Sequence, residues 1–137
     1  MTQSTVNIER ALQTIAKYTQ QQDVTNAAEI VGVHLEGPFI SEHKVGAQHP
    51  QFVQRPTVDK IKSFQKVANG LIKIITYAPE VDGATETLKT MKNDIIFSIG
   101  HTVATFDQAN AAVSHGAKHI THLYNACLLY TSPSPRD

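Results

Sequence analysis

Glu29-Ile-Val-Gly-Val-His-Leu-Glu36, followed at once by Gly37-Pro38, decides how the rest of the chain is read. The run is short, apolar and rich in β-branched residues, and two structure-breaking residues end it. That combination predicts a buried strand. The same design recurs downstream. Leu71-Ile-Lys-Ile-Ile-Thr-Tyr77 stops at Ala78-Pro79-Glu80. Asp94-Ile-Ile-Phe-Ser-Ile99 stops at Gly100-His101, and Ala117-Lys-His-Ile-Thr121 stops at His122. Each apolar run is closed by a carboxylate or an imidazole.

Helical patterns separate these runs. Ile8, Leu12, Ile15 and Ala16 fall at helical spacing between Thr5 and Gln20, and a polar connection, Asp23 to Ala28, leads into the first strand. Pro56-Thr57 opens a second helix, with Ile61, Phe64 and Val67 or Ala68 on one face, and Gly70 closes it. Gly83 to Lys92 reads as a third helix. Thr105 and Gln108 form a T-x-x-Q capping box for a fourth, Ala-rich helix that stops at Gly116. Strands alternating with helices predict parallel pairing through right-handed crossovers. The expected fold is α/β, with four strand–helix repeats.

In a parallel sheet or barrel of this kind the carboxyl ends of all strands lie on one face, where ligands bind. Glu36, Glu80, His101 and His122 are therefore expected on a common face. From that set, Glu36, His101 and His122 supply one carboxylate and two imidazoles, a frequent donor set for a divalent metal with open positions. Such a centre lowers the pKa of water to about 7 and polarises a carbonyl, which points to hydrolysis. His34 alternates with Glu36 and should share its face. His43 and His49 sit in the long polar loop Ser41 to Gln54, where His49 is within reach of a substrate. His115 stands at a helix end favoured by the helix dipole. His119 lies within the last strand, where a core or supporting place is expected.

Composition narrows the function class. The chain has 137 residues, with 12 Lys+Arg against 12 Asp+Glu, and so no net charge to attract nucleic acid or an anionic membrane. No apolar run approaches the roughly 20 residues of a membrane span. The start, MTQSTVNIER, lacks the pattern of a signal peptide. A single Cys excludes an intrachain disulfide and suits the cytoplasm. There is no G-x-G-x-x-G after a strand, no Walker loop and no C-x-x-C, and Cys127 has no partner that would make it a nucleophile. Residues 127–137, with two prolines and two serines, read as a non-native or disordered tail.

Five motifs in order carry a family resemblance: Gly32-Val-His-Leu-Glu-Gly-Pro-Phe39, Gly46-Ala-Gln-His-Pro50, Ala78-Pro-Glu80, Gly100-His-Thr-Val-Ala-Thr105 and Thr121-His-Leu-Tyr-Asn-Ala126. Together they resemble the N-acetylglucosamine-6-phosphate deacetylases of the amidohydrolase superfamily. The resemblance implies a (β/α)8 TIM barrel, of which residues 1–126 would form a partial barrel domain of about four β/α units, since a whole barrel takes about 250 residues. It implies a divalent metal (Zn, Fe, Co or Mn) held by Glu36, His101 and His122. Substrate contacts would fall on Ala47, Gln48, Asn125 and Ala126. The implied activity is hydrolysis of the acetamide of N-acetylglucosamine 6-phosphate by metal-activated water, giving glucosamine 6-phosphate and acetate, in a homodimeric parent enzyme. The family's phosphate-holding Arg and its general acid/base Asp have no match in this chain, which alone is expected to be inactive. Where the family continues with Met, this chain has Cys127. Another amide hydrolase of the superfamily and a non-catalytic metal-binding module are the competing expectations.

Overall fold

The computed structural model describes residues 1–123. Strands β1 (Val33–Glu36), β2 (Ile72–Tyr77), β3 (Ile96–Ile99) and β4 (His119–Ile120) form one parallel sheet in the order β1-β2-β3-β4. Helices α1 (Thr5–Thr19), α2 (Val58–Val67), α3 (Ala84–Met91) and α4 (Phe106–His115) alternate with the strands, and each helix packs beside the next. Sequential strand order with neighbouring helices side by side is the arrangement the alternating sequence pattern predicts.

Local chemistry explains where the helices start and stop. The Ser4 hydroxyl accepts the Asn7 amide at 3.3 Å to cap α1, and Ile8, Leu12 and Ala16 then repeat every fourth residue on its buried face. Thr57 caps α2 by accepting the Lys60 amide at 3.2 Å, and Ile61 and Phe64 bury with Ala68 just beyond. For α4 the Thr105–Gln108 capping box is complete in both directions, with Gly116 at the far end at φ 121°. Before α3 stands Gly83, at φ 84°, where a Cβ would come within 2.6 Å of the Pro56 carbonyl oxygen. Only glycine fits that approach.

Side chains alternate across the sheet. Leu35, Ile75, Tyr77, Phe97 and Ile99 join Ile8, Leu12, Ile61, Phe64, Leu88 and Met91 in one core between sheet and helices. Phe39 packs on Phe64 with ring centroids 6.3 Å apart, and Tyr77 meets Phe97 edge-on at 5.3 Å. Each such ring, fully buried, contributes about 2–3 kcal/mol of burial energy. His34, Glu36, Thr76 and Ser98 fall on the opposite face, so the polar chemistry is segregated from the core.

The first strand is shorter than the sequence implies. Residues 29–32 lie outside it, and Val31 is exposed. Among the described residues β1 pairs with β2 alone, and β2 begins at Ile72, opposite Val33, so the lead-in has no ladder to join. A side chain takes over instead. The Gln22 amide accepts the Ile30 N–H at 3.0 Å and donates to the Ile30 carbonyl at 3.4 Å. Gln65 clamps Ile72, the first residue of β2, in the same way at 3.0 and 2.9 Å. Among the described residues no helix is long and apolar enough to cross a membrane.

Candidate metal centre

Three strand ends deliver the site. Glu36 is the last residue of β1, whereas His101 and His122 each lie two residues past the ends of β3 and β4. Both histidines adopt left-handed backbone, at φ 51° and φ 56°. Few non-glycine residues do so, at a cost of about 1–3 kcal/mol each, and such residues persist where the surroundings over-determine them. The turn swings both imidazoles back over the strand ends. His101 Nε2 lies 2.6 Å from Glu36 Oε1, and His122 Nε2 lies 2.8 Å from the same oxygen. The rings meet nearly edge to face, with centroids 5.1 Å apart. One ligand atom from each residue falls within 4.8 Å of the others.

The hydrogen-bond pattern orients the His101 ring and leaves room for a proton or a metal ion between it and Glu36. His101 Nδ1 lies 2.8 Å from the Lys44 carbonyl, which can only accept, so Nδ1 carries the proton. In the neutral ring, Nε2 then presents a lone pair to the Glu36 carboxylate. Two acceptors at 2.6 Å repel unless a proton or a metal ion lies between or beside them. A main-chain carbonyl behind a ligating histidine is also the usual way such a ring is oriented toward a metal. Burial acts to raise the Glu36 pKa, but hydrogen bonds from His122 and His101 and their charges outweigh it and hold the carboxyl below its ordinary value. Side-chain exposure rises from 8% at His101 to 46% at His122, so a cation would be approached from the His122 side. The donor set fits a divalent metal with open positions and does not discriminate among transition metals.

Around these three side chains opens a cleft of about 760 Å³, whose lining includes Ala47, Gln48 and His49. Ala47 and Gln48 thus stand beside the Glu36–His101–His122 cluster. Gln48 Oε1 is buried with no hydrogen-bond partner among the described residues. An orphaned buried amide oxygen is costly unless something else satisfies it. Asn125, Ala126 and the 127–137 tail lie outside the described residues.

Other strand-end and histidine expectations sort differently. Glu80 does not join the cluster. Its carboxylate accepts the Thr102 hydroxyl and the Val103 amide, the latter at 2.8 Å, and so ties down the loop that follows His101. It lies three residues past β2, and the neighbouring loop captures it. His119 is exposed, not a core or supporting residue, because β4 has only two residues and both are uncovered. His34 shares the Glu36 face as expected and pairs with Thr76 Oγ1 at 2.7 Å. His49 caps the short 3-10 turn Pro50–Phe52, accepting the Gln51 amide, and packs on Phe52 at 5.5 Å. The Lys44 carbonyl was not foreseen, because a main-chain acceptor leaves no mark on residue type.

No family model matches the chain. Individual relatives do. The N-acetylglucosamine-6-phosphate deacetylase of Bacillus subtilis is 41% identical over 128 residues, which cover 92% of this chain and 32% of that protein. The deacetylase of the same name from Lysinibacillus sphaericus is 40% identical over 102 residues, covering 74% of this chain and 26% of that protein. Among solved structures, the Mycobacterium smegmatis enzyme in complex with N-acetyl-D-glucosamine-6-phosphate superposes with a TM-score of 0.83 at 31% identity. It matches 94% of this chain, which spans 32% of that one. The chain thus spans about a third or less of the length of these relatives. Its sequential parallel sheet accounts for four strands of a TIM barrel. By sequence and by fold, the chain is similar to one segment of the N-acetylglucosamine-6-phosphate deacetylases, within their barrel.

Proposed function

We propose that this segment is the metal-holding part of an enzyme that hydrolyses the acetamide of N-acetylglucosamine 6-phosphate to glucosamine 6-phosphate and acetate. The observation that carries the reading is the convergence of Glu36, His101 and His122 on one point at the carboxyl ends of three parallel strands. A divalent cation held there by Glu36, His101 and His122 would supply Lewis acidity toward water and an amide carbonyl. Glu36 contributes negative charge, His101 a ring fixed by the Lys44 carbonyl, and His122 the solvent-side donor. Ala47 and Gln48 border the same cleft, where they would hold the acetamide end of an amino-sugar phosphate. Asn125 and Ala126 would complete that contact.

No carboxylate besides Glu36 lines the cleft among the described residues. The described residues thus supply no second carboxylate to carry the proton from water to the leaving amine, and we infer that this chain by itself would bind metal without turnover. The loss of a general acid/base costs typically 10²–10⁴-fold in rate. The test is a chimera in which residues 1–123 replace the matching part of the Bacillus subtilis deacetylase. Acetate release from N-acetylglucosamine 6-phosphate should appear in the chimera and vanish when it carries Glu36→Gln, His101→Asn or His122→Asn. The isolated chain should give none. A well-folded chimera that binds metal but releases no acetate would overturn the substrate assignment.

A further inference from the structure

Four polar groups lie in a chain across the polar face of the sheet, beside Glu36 and His122. His34 Nε2 is 2.7 Å from Thr76 Oγ1, Thr76 Oγ1 is 2.7 Å from Thr121 Oγ1, and Thr121 Oγ1 is 2.7 Å from Ser98 Oγ. Three strands are thereby joined through side chains, and Thr121, just past β4, is the centre. Its hydroxyl has one proton and two lone pairs, so it can donate to one neighbour while accepting from the other. Thr76 is wholly buried and Ser98 is 2% exposed, so each needs such a partner.

Thr121 is fixed on its other sides as well. Its amide donates to the Ile99 carbonyl at 2.8 Å. Gly100 packs so closely that a Cβ there would come within 2.7 Å of Thr121 Cβ. The next residue is His122, which shares the left-handed backbone of His101 and has the most exposed side chain of the three. His101 is gripped at both ring nitrogens. His122 is held differently, through the residue before it.

We propose that Thr121 is a positioning residue: its hydroxyl, shared between Thr76 and Ser98, sets the backbone turn that aims the His122 imidazole at Glu36. The inference rests on the reading of Glu36, His101 and His122 as a metal centre, but its first test needs no metal. In the metal-free chain the ring ¹⁵N shifts of His122 report its hydrogen bond to Glu36. Thr121→Val keeps the shape and removes the hydroxyl, and should move the His122 ring signals while leaving those of His101 in place. Thr121→Ser should restore them. A second variant, Ser98→Ala, deletes one arm of the network and should give a smaller displacement, which covers the case in which Thr121→Val folds poorly. Zn²⁺ titration of the same proteins should show a 10- to 100-fold loss of affinity for Thr121→Val and near-parental binding for Thr121→Ser, the size usual for groups that orient a ligand. His122 signals unchanged in both Thr121→Val and Ser98→Ala would overturn the proposal. A parent chain that binds no Zn²⁺, with the shifts as expected, would overturn the metal reading and leave the positioning role standing.

Discussion

Gly100→Ala puts the packing beneath the site under direct strain. Gly100 is not at positive φ, so alanine suits its backbone and the only obstacle is space. The added Cβ would sit 2.7 Å from Thr121 Cβ and 3.1 Å from Thr76 Cγ2. Carbon atoms in good contact are about 3.5–4.0 Å apart, so the two segments must separate by about 0.8 Å or more. Overpacking of this kind costs about 1–3 kcal/mol. Stiffening of the unfolded chain returns about 0.4–1 kcal/mol. The net expectation is a destabilisation of about 0–2.6 kcal/mol, read from urea unfolding of the metal-free chain. The displacement also exceeds the roughly 0.5 Å tolerance of a metal constellation, and it is imposed one residue before His122. Competition titration against a chromophoric chelator should therefore show weaker Zn²⁺ binding, by about 10- to 100-fold. A Gly100→Ala protein as stable as its parent, with unchanged affinity, would refute the claim that Thr121 is firmly seated.

Two further expectations follow from buried groups. Tyr77 is 1% exposed, and its hydroxyl has no partner among the described residues; burial pushes its pKa far up. Tyr77→Phe keeps the edge contact to Phe97 and removes the orphaned hydroxyl, so it should be neutral or stabilising by up to about 1 kcal/mol, and a loss of more than about 1 kcal/mol in urea unfolding would contradict this. The Glu36 carboxyl titrates below its ordinary 4.5 in the fold, so between those two values the unfolded chain binds more protons and stability rises with pH. The contribution is complete above about pH 4.5 and is lost as pH falls through the folded value, so a Glu36→Gln chain should lose less stability than its parent between pH 5 and pH 3.

Much of this site was legible in the sequence because a parallel sheet converts position along the chain into position in space. Each strand must end on the same face, so a Glu and two His just past apolar runs could be brought together without knowing any distance. The caps of α2 and α4 were legible for a similar reason: Thr57, Thr105, Gln108 and Gly116 act within a few residues of themselves. What escaped depends on contacts between distant segments. Glu80 has the same sequence setting as Glu36, yet the loop after His101 claims its carboxylate. The lead-in to β1 is apolar enough for a strand, but β2 starts only opposite Val33 and leaves it unpaired, and Gln22 replaces the ladder. His119 reads as an interior strand residue, and the shortness of β4 exposes it. Thr121, Thr76 and Ser98 are ordinary hydroxyls until the register aligns Thr76 with Ser98 and the turn after β4 brings Thr121 over both.

The most direct test of the account is a Co²⁺ titration of the purified 137-residue chain, followed by its visible absorption spectrum, beside the Glu36→Gln and His122→Asn chains. Saturation at one ion per chain, with a spectrum that weakens in both variants, is the predicted result. A parent chain that takes up no Co²⁺, or variants that bind it with unchanged spectrum and affinity, would contradict the assignment of Glu36, His101 and His122 as a metal centre.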